Sequence, residues 1–532
     1  MTHTKKQFDV IVIGAGFAGM YAVYRLRKLG FSVQAIEAGG DVGGTWYWNR
    51  YPGARCDVHS LEYSYQFSEE LQQEWNWSEK YAAQSEILDY ARHVADRFDL
   101  RKNIQFNTRI QAMLFNEASC IWELTTQDGE EFQARHCIMA TGCLSMNNVP
   151  DFQGLESFKG EVFHTGNWPH EGVDFSGKRV GIIGTGSSAI QAIPIIAEEA
   201  GSLTVFQRTA GFSVPAQNEA MDKTYEAQIK FRYQKFRQEN FNRFAALNNN
   251  PNPISALGIS DEEREATFEG RWQTGGLSFL ASFNDLATNI DANRTASEFV
   301  HKKIHQIIDD PKIADLLCPP TILGCKRLCV DTGYYKTFNR TNVKLIDVSA
   351  NPIEKVTTHG IKTNAEEYDL DILILATGFD AMTGALLSID IQGVDGLTLQ
   401  EKWQGGPKNY LGLSVSGFPN FFTITGPGSP SVLANMIVAI EQHVDWIADC
   451  LIYLRENSLS RIEAQQHDEE QWVELVNQIA GQTLYADGCN SWYTGANIPG
   501  KSRVFMPYLG FPSYVEKCKS VAANNYTGFK LN

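Results

Sequence analysis

The stretch Asp9-Val10-Ile11-Val12-Ile13-Gly14-Ala15-Gly16-Phe17-Ala18-Gly19 decides the fold. Val10 to Ile13 is an unbroken β-branched run, the composition of a strand buried on both faces in a parallel sheet. The glycines that follow allow a tight turn, close approach of the backbone to a pyrophosphate, and close packing of the next helix on the strand. The spacing predicts a helix to about Leu29 and a second strand over Val33 to Ile36, closed by Glu37. A carboxylate in that place accepts hydrogen bonds from a ribose, while the free amides at the helix start face phosphates.

The same grammar returns downstream. Arg179 to Ile183 reads as a strand, Gly184-Thr185-Gly186-Ser187-Ser188-Ala189 as the loop, then a helix to about Glu199 and a strand over Leu203 to Phe206. No acid closes this unit; Gln207-Arg208-Thr209 stands in its place, and an arginine there pairs with a 2′-phosphate. The order is therefore FAD first, bound through Gly14, Gly16, Gly19 and Glu37, and NADPH second, bound through Gly184, Thr185, Gly186, Ser187, Ser188, Arg208 and Thr209. One glycine loop is weak evidence, but two strand-flanked copies with the right residue about twenty positions on are strong. Ala189 replaces the third glycine of the second loop, an allowed alternative.

Ala140-Thr141-Gly142 and Ala376-Thr377-Gly378 end the apolar strand patterns Cys137 to Met139 and Leu373 to Leu375, and mark where one dinucleotide domain hands over to the other. The expected fold is α/β: two Rossmann-like dinucleotide-binding domains with a helical insertion. Residues 1–142 and 381–532 form the FAD-binding domain, 149–213 and 325–380 the NADP-binding domain, and 214–324 the insertion. Helical spacing runs over Tyr225 to Phe244 and Glu298 to Ile308, with a loop at Asn248 to Pro253.

A chain of 532 residues suits two or three domains, and 43% hydrophobic with 20% charged residues is a globular balance. A net charge of -16 argues against a nucleic-acid partner, which needs clustered Lys and Arg. Ten scattered cysteines lack zinc-site spacing, so no metal is expected and reduced thiols are the default. No apolar run reaches the ~20 residues of a membrane span. A cytoplasmic monomer acting on small molecules is the expectation.

Two further segments carry a family resemblance. Phe158-Lys159-Gly160-Glu161-Val162-Phe163-His164-Thr165-Gly166-Asn167-Trp168-Pro169 and Gly43-Gly44-Thr45-Trp46-Tyr47-Trp48-Asn49-Arg50-Tyr51-Pro52-Gly53-Ala54-Arg55-Cys56-Asp57 resemble the two signatures of the Baeyer–Villiger monooxygenases. Gln73 to Trp77, His164 to His170, Ser429 to Met436 and the Ser491 to Lys501 segment resemble the phenylacetone branch, and the cyclohexanone enzymes share the signatures.

The resemblance implies an NADPH- and O2-dependent flavoenzyme that converts aryl, acyclic or cyclic ketones to esters or lactones through a flavin peroxide, with sulfides also open to oxygenation. It implies that Lys326 contacts the NADP phosphate, that Arg327 is catalytic at the flavin face, and that Asp57 orients Arg327. A guanidinium suits that place because it stays charged where a buried lysine loses its proton. Gly44, Thr45, Trp46, Tyr63 and Met436 join the cofactor set by the same likeness, Trp492 contacts NADP, and Ser431, Val432 and Leu433 border the ketone pocket. His164 and Trp168 read as structural, registering the NADP domain. Alternatives remain open: an N- or S-hydroxylating flavin monooxygenase, an NADPH oxidase, or a disulfide reductase using Cys325 and Cys329, although a reductase dithiol is expected in the FAD domain.

Overall fold

The computed structural model describes residues 6–486, 488–498, 500 and 510–532. Within the segment 491–501, Pro499 and Lys501 lie outside the described residues. The strand Lys6–Ile13 sits inside an eight-stranded sheet, parallel to Val33–Ile36 on one side and to Glu131–Met139 on the other. Val10, Ile11 and Val12 have no exposed surface, as an unalternating apolar run in a central parallel strand requires. The sheet continues outward through an antiparallel meander, Glu131–Met139 to Ile121–Thr126 to Ile110–Asn116, and takes in two late strands, Asp390–Gln392 and Phe421–Thr423. The chain thus leaves this sheet and returns to it after the second domain.

The helix Phe17–Lys28 begins directly after the glycine turn. Gly14 has φ +107°, where an L side chain is strained, and a Cβ on it would lie 2.5 Å from the carbonyl oxygen of Ala140. At Gly19 a Cβ would overlap the carbonyl oxygen of Gly14, so the helix packs on the loop with no room for a methyl group. The second loop is looser at this position, because Ala189 is accommodated there fully buried.

The second sheet is parallel throughout, in the order Val343–Asp347, Ser202–Gln207, Arg179–Ile183, Ile372–Leu375, Glu161–His164. The fingerprint run is thereby explained in part: its residues 161–164 form the edge strand, and Trp168 is buried between Phe163 and Phe175, with ring centroids 5.5 and 6.3 Å away. The two crossings between domains run side by side, with Asn148 N donating to Gly378 O at 2.9 Å and Asn147 bridging Phe379.

The insertion does not form a core of its own. The helical pattern over Tyr225 to Phe244 breaks at Arg232, whose φ of -122° is not helical, into Lys223–Phe231 and Tyr233–Phe241. Ile229, Tyr233 and Phe236 on these helices join the core of the first sheet. Phe268 and Trp272 on Asp261–Thr274, and Phe299 on Ile290–Ile307, join the core of the second. The insertion therefore spans both hydrophobic cores. Among the described residues no helix is long and apolar enough to cross a membrane, and no group of acidic, His or Cys side chains has the arrangement of a metal site.

The expectation of reduced thiols fails at one pair. Cys325 and Cys489 are joined by a disulfide with Cα atoms 6.1 Å apart, while the other eight cysteines are free. A separation of 164 residues conceals such a pairing from any reading of local spacing.

Candidate active site

Four segments distant in sequence meet around one guanidinium. Arg327 precedes the short strand Cys329–Asp331, which pairs with Ser213–Pro215. Its Nε and Nη2 donate to Asp57 Oδ2 at 2.9 and 2.8 Å, and its Nη1 donates to the carbonyl oxygen of Val432 at 3.0 Å. The Tyr493 hydroxyl is the remaining polar partner of Arg327. Burial alone would loosen the proton on Arg327; the Asp57 carboxylate and Tyr493 reverse this and make the guanidinium more basic than usual. The result is a half-buried cation whose charge no ordinary pH removes, held on three sides.

An apolar wall adjoins it. Cys143, Ala381, Met382 and Tyr493 are buried together, with Leu144, Val432, Leu433, Met436 and Trp492 packed against them. Ser431 is fully buried and turns its hydroxyl to the Met382 sulfur at 3.7 Å, so it lies behind the wall, whereas Val432 and Leu433 are half-buried. Trp492 stacks edge-on to Tyr493 with centroids 4.6 Å apart. Sequence reasoning did not single out Tyr493, Cys143, Leu144 or Met382; adjacency to Trp492 was the only available signal, and that for Tyr493 alone.

The first glycine loop fits an adenine dinucleotide. Glu37 Oε2 accepts from Ala15 N and Oε1 from Gly39 N, both at 2.6 Å, and burial raises its pKa against these bonds. Each carboxylate oxygen keeps a further lone pair for a ribose hydroxyl. Next to the loop, Gly44 has φ +53° and leads into the short helix Thr45–Trp48, and Trp46 Nε1 donates to Tyr63 Oη at 3.2 Å. Met436 opens the helix Met436–Glu456, capped by the Asn435 side chain, which also donates to Glu62 O at 2.9 Å. Trp46 and Tyr63 join the first domain's core, and a Cβ on Gly16 would lie 3.3 Å from Gly44 Cα, whereas Met436 packs on the apolar wall beside Arg327.

The second loop fits a phosphorylated dinucleotide. Gly184 repeats the geometry of Gly14 with φ +113°, and Thr185 Oγ1 donates to Thr209 O at 3.0 Å. The Lys326 pKa is lowered by burial and then by repulsion from Arg208. Among the described residues neither cation forms an ion pair with a carboxylate, so two unneutralised positive charges converge where a 2′-phosphate would neutralise both.

The second signature docks the domains. Tyr51 Oη donates to Gln191 Oε1 at 2.8 Å, and Gln191 Nε2 donates back to Arg55 O at 3.0 Å, fastening residues 51–55 to the helix Ser187–Glu199. His164 is buried at a turn, with Nδ1 accepting from Gly166 N at 3.0 Å, and desolvation keeps its pKa low. Thr377 Oγ1 lies 3.4 Å from its Nε2 and donates to Asn148 O at 2.6 Å. The His164 imidazole is thereby joined to both interdomain crossings.

The chain resembles known proteins over its whole length. Residues 11–250 match a family model described as pyridine nucleotide-disulphide oxidoreductase. A cyclohexanone 1,2-monooxygenase from an Acinetobacter species is 44% identical over 99% of this chain and 97% of its own. The solved structure of an oxidized steroid monooxygenase bound to NADP superposes with a TM-score of 0.94 at 50% identity, covering 99% of each chain. That of an OTEMO complex with FAD and NADP superposes with a TM-score of 0.96 at 41% identity, over 99% of this chain and 100% of the other.

Proposed function

The chain belongs to the Baeyer–Villiger monooxygenase family, and on that premise we propose that Arg327, held by Asp57, is the charge at which oxygen insertion into a ketone takes place. The enzyme is an FAD-containing, NADPH-dependent monooxygenase that converts ketones to esters or lactones. When bound, reduced FAD supplies the activation of dioxygen. Gly14, Gly16, Gly19 and Glu37 hold its adenosine diphosphate part, with Gly44, Thr45, Trp46, Tyr63 and Met436 along the remainder. Gly184 to Ser188 with Arg208, Thr209 and Lys326 hold NADPH, and Trp492 closes on it.

The observation that carries this reading is the fixed guanidinium beside an apolar wall. Negative charge moves from the attacking oxygen to the ketone oxygen as the two groups bond, and a preorganised cation stabilises that charge without reorganising. Asp57 and the Val432 carbonyl aim that cation, while Leu144, Val432, Leu433 and Met382 exclude water and set which carbon skeletons fit. Aryl, acyclic and cyclic ketones are the proposed substrate class, with organic sulfides as further acceptors.

The pair that a disulfide reductase would have used, Cys325 with Cys329, is not formed: Cys325 is bonded to Cys489 instead, and Cys329 sits 3.3 Å from the Ser187 hydroxyl. We further propose that residues 1–142 and 381–532 act as the FAD domain, and 149–213 and 325–380 as the NADP domain. The chain is proposed to work as a cytoplasmic monomer. Mass spectrometry of the product from a simple aryl ketone under labelled dioxygen is the test: one labelled oxygen in an ester supports the reading, and unlabelled or absent ester refutes it.

A further inference from the structure

The disulfide lies at a consequential place. Cys325 immediately precedes Lys326 and Arg327, and Cys489 precedes Trp492 by three residues and Tyr493 by four. Tyr493 is itself bonded to Arg327. One covalent link therefore ties the loop that carries the cation to the segment that covers it. No other feature of the fold joins these two segments covalently among the described residues.

We propose that Cys325 and Cys489 form a reversible dithiol oxidised by hydrogen peroxide, and that the bond clips the Trp492–Tyr493 segment onto Arg327. This goes beyond the reading above and shares only its premise that NADPH and dioxygen are consumed. Hydrogen peroxide is the two-electron product of dioxygen when NADPH is spent and no ketone is oxidised, so the oxidant arises beside its target. Cys489 is partly exposed while Cys325 is fully buried, which sets the order of attack.

The Cys489 thiolate attacks one peroxide oxygen; a sulfur–oxygen bond forms, the oxygen–oxygen bond breaks, and hydroxide leaves to become water. The Cys325 thiolate then attacks the Cys489 sulfenic sulfur; the disulfide forms, the sulfur–oxygen bond breaks, and a second hydroxide leaves as water. Two thiols lose two electrons in all, and one peroxide becomes two waters. The consequence is self-limiting. Wasted turnover makes peroxide, peroxide sets the bond, and the bond holds Tyr493 and Trp492 against Arg327, where they exclude water and improve the yield of ester per NADPH. A tethered segment occupies its docked position at a far higher effective concentration than a free one.

The FAD-loaded enzyme, reduced and freed of reductant, is treated with hydrogen peroxide, alkylated, digested and analysed by mass spectrometry. A peptide pair linked through Cys325 and Cys489 is expected, and it should also form during NADPH oxidation without ketone unless catalase is present. With ketone present, the oxidised enzyme should release less hydrogen peroxide per NADPH than the reduced enzyme, by about twofold or more, since tethering raises docked occupancy. Cys489→Ser should match the reduced enzyme and ignore added reductant. Failure of the linked peptide to form overturns the proposal without touching the assigned reaction, because that readout needs no ketone. Equal peroxide release from oxidised and reduced enzyme, or a reductant effect on Cys489→Ser equal to that on the parent chain, overturns it as well.

Discussion

Arg327 Nε and Nη2 both donate to a single oxygen of Asp57, Oδ2, at 2.9 and 2.8 Å, leaving Nη1 to reach the Val432 carbonyl at 3.0 Å. The carboxylate thus aims the guanidinium along one edge while the pocket loop fixes the other. On the proposed reading Arg327 carries the charge and Asp57 positions it.

Arg327→Ala should still bind FAD and reduce it slowly with NADPH, since neither glycine loop is altered. Ester formation should fall by about 10²–10³, the usual cost of losing one preorganised charge stabiliser. The oxygen consumed should appear as hydrogen peroxide. Asp57→Ala removes charge-assisted bonds worth roughly 1.5–3 kcal/mol and should lose about ten- to a hundredfold. Parallel assays of ester, peroxide and NADPH check both; normal ester yield in Arg327→Ala would remove this residue from the chemistry.

A strong preference for NADPH over NADH follows from Lys326 and Arg208 converging, neither of them ion-paired to a carboxylate among the described residues. Two charge-assisted phosphate contacts at roughly 1.5–3 kcal/mol each predict a preference of two orders of magnitude or more. Arg208→Ala should lose at least about tenfold of it through kcat/KM for NADPH, with NADH use unchanged. Equal specificity constants for the two coenzymes in the parent enzyme would sink the assignment.

What could be read from the sequence was local. The strands Val33–Ile36 and Arg179–Ile183 have the bounds their apolar runs predict, because a buried parallel strand is written in consecutive residues. Leu203 to Phe206 extends by one residue at each end, to Ser202–Gln207, where hydrogen bonding outlasts the apolar pattern. The break at Arg232 was hidden because both helices keep compatible spacing on either side of it. Contacts set by topology could not be read at all. Tyr493 meets Arg327, and Cys489 meets Cys325, only after two domains have folded and packed. The antiparallel meander over Ile110–Met139 was likewise invisible to a search for dinucleotide loops. Motif resemblance could bring together Asp57, Arg327 and Val432 as names; their shared hydrogen bonds belong to the fold.

Val432 offers its backbone to Arg327 and its side chain to the apolar wall, so truncating the side chain leaves the cation held. Val432→Ala should change the ratio of aryl to cyclic ketone turnover by several-fold, since one or two methyl groups in an apolar pocket are worth about 1–3 kcal/mol. Its half-buried position predicts a small stability cost, about 1 kcal/mol or less. An unchanged substrate ratio, measured by competition between two ketones, would mean that this loop does not border the pocket.

His443 predicts the acid limb of stability. It is fully buried on the helix Met436–Glu456, its Nδ1 accepts from Thr425 N at 2.9 Å, and its Nε2 lies 2.9 Å from Tyr514 Oη. Burial brings its pKa down to about 3. The unfolded chain, with an ordinary histidine pKa of about 6.5, takes up the proton first, so this group's stability is full at neutral pH and is lost as pH falls from about 6.5 towards 3. At about pH 5 the loss is roughly 2 kcal/mol from His443 alone. His59 and His136, both brought down to about 4 by burial, add to the same limb. Glu62 and Glu441, raised by burial to about 7 and about 8, act oppositely, gaining stability as pH falls through those values. The parent profile is therefore a sum, and a difference between variants isolates one group. His443→Gln should be less stable at neutral pH through weakened bonds, yet lose roughly 2 kcal/mol less than the parent between about pH 7.5 and 5. Urea unfolding at the two pH values measures this. An equal loss in both proteins would show that His443 stays uncharged in the unfolded chain as well, or charges freely in the folded one, and either result removes it from the acid transition.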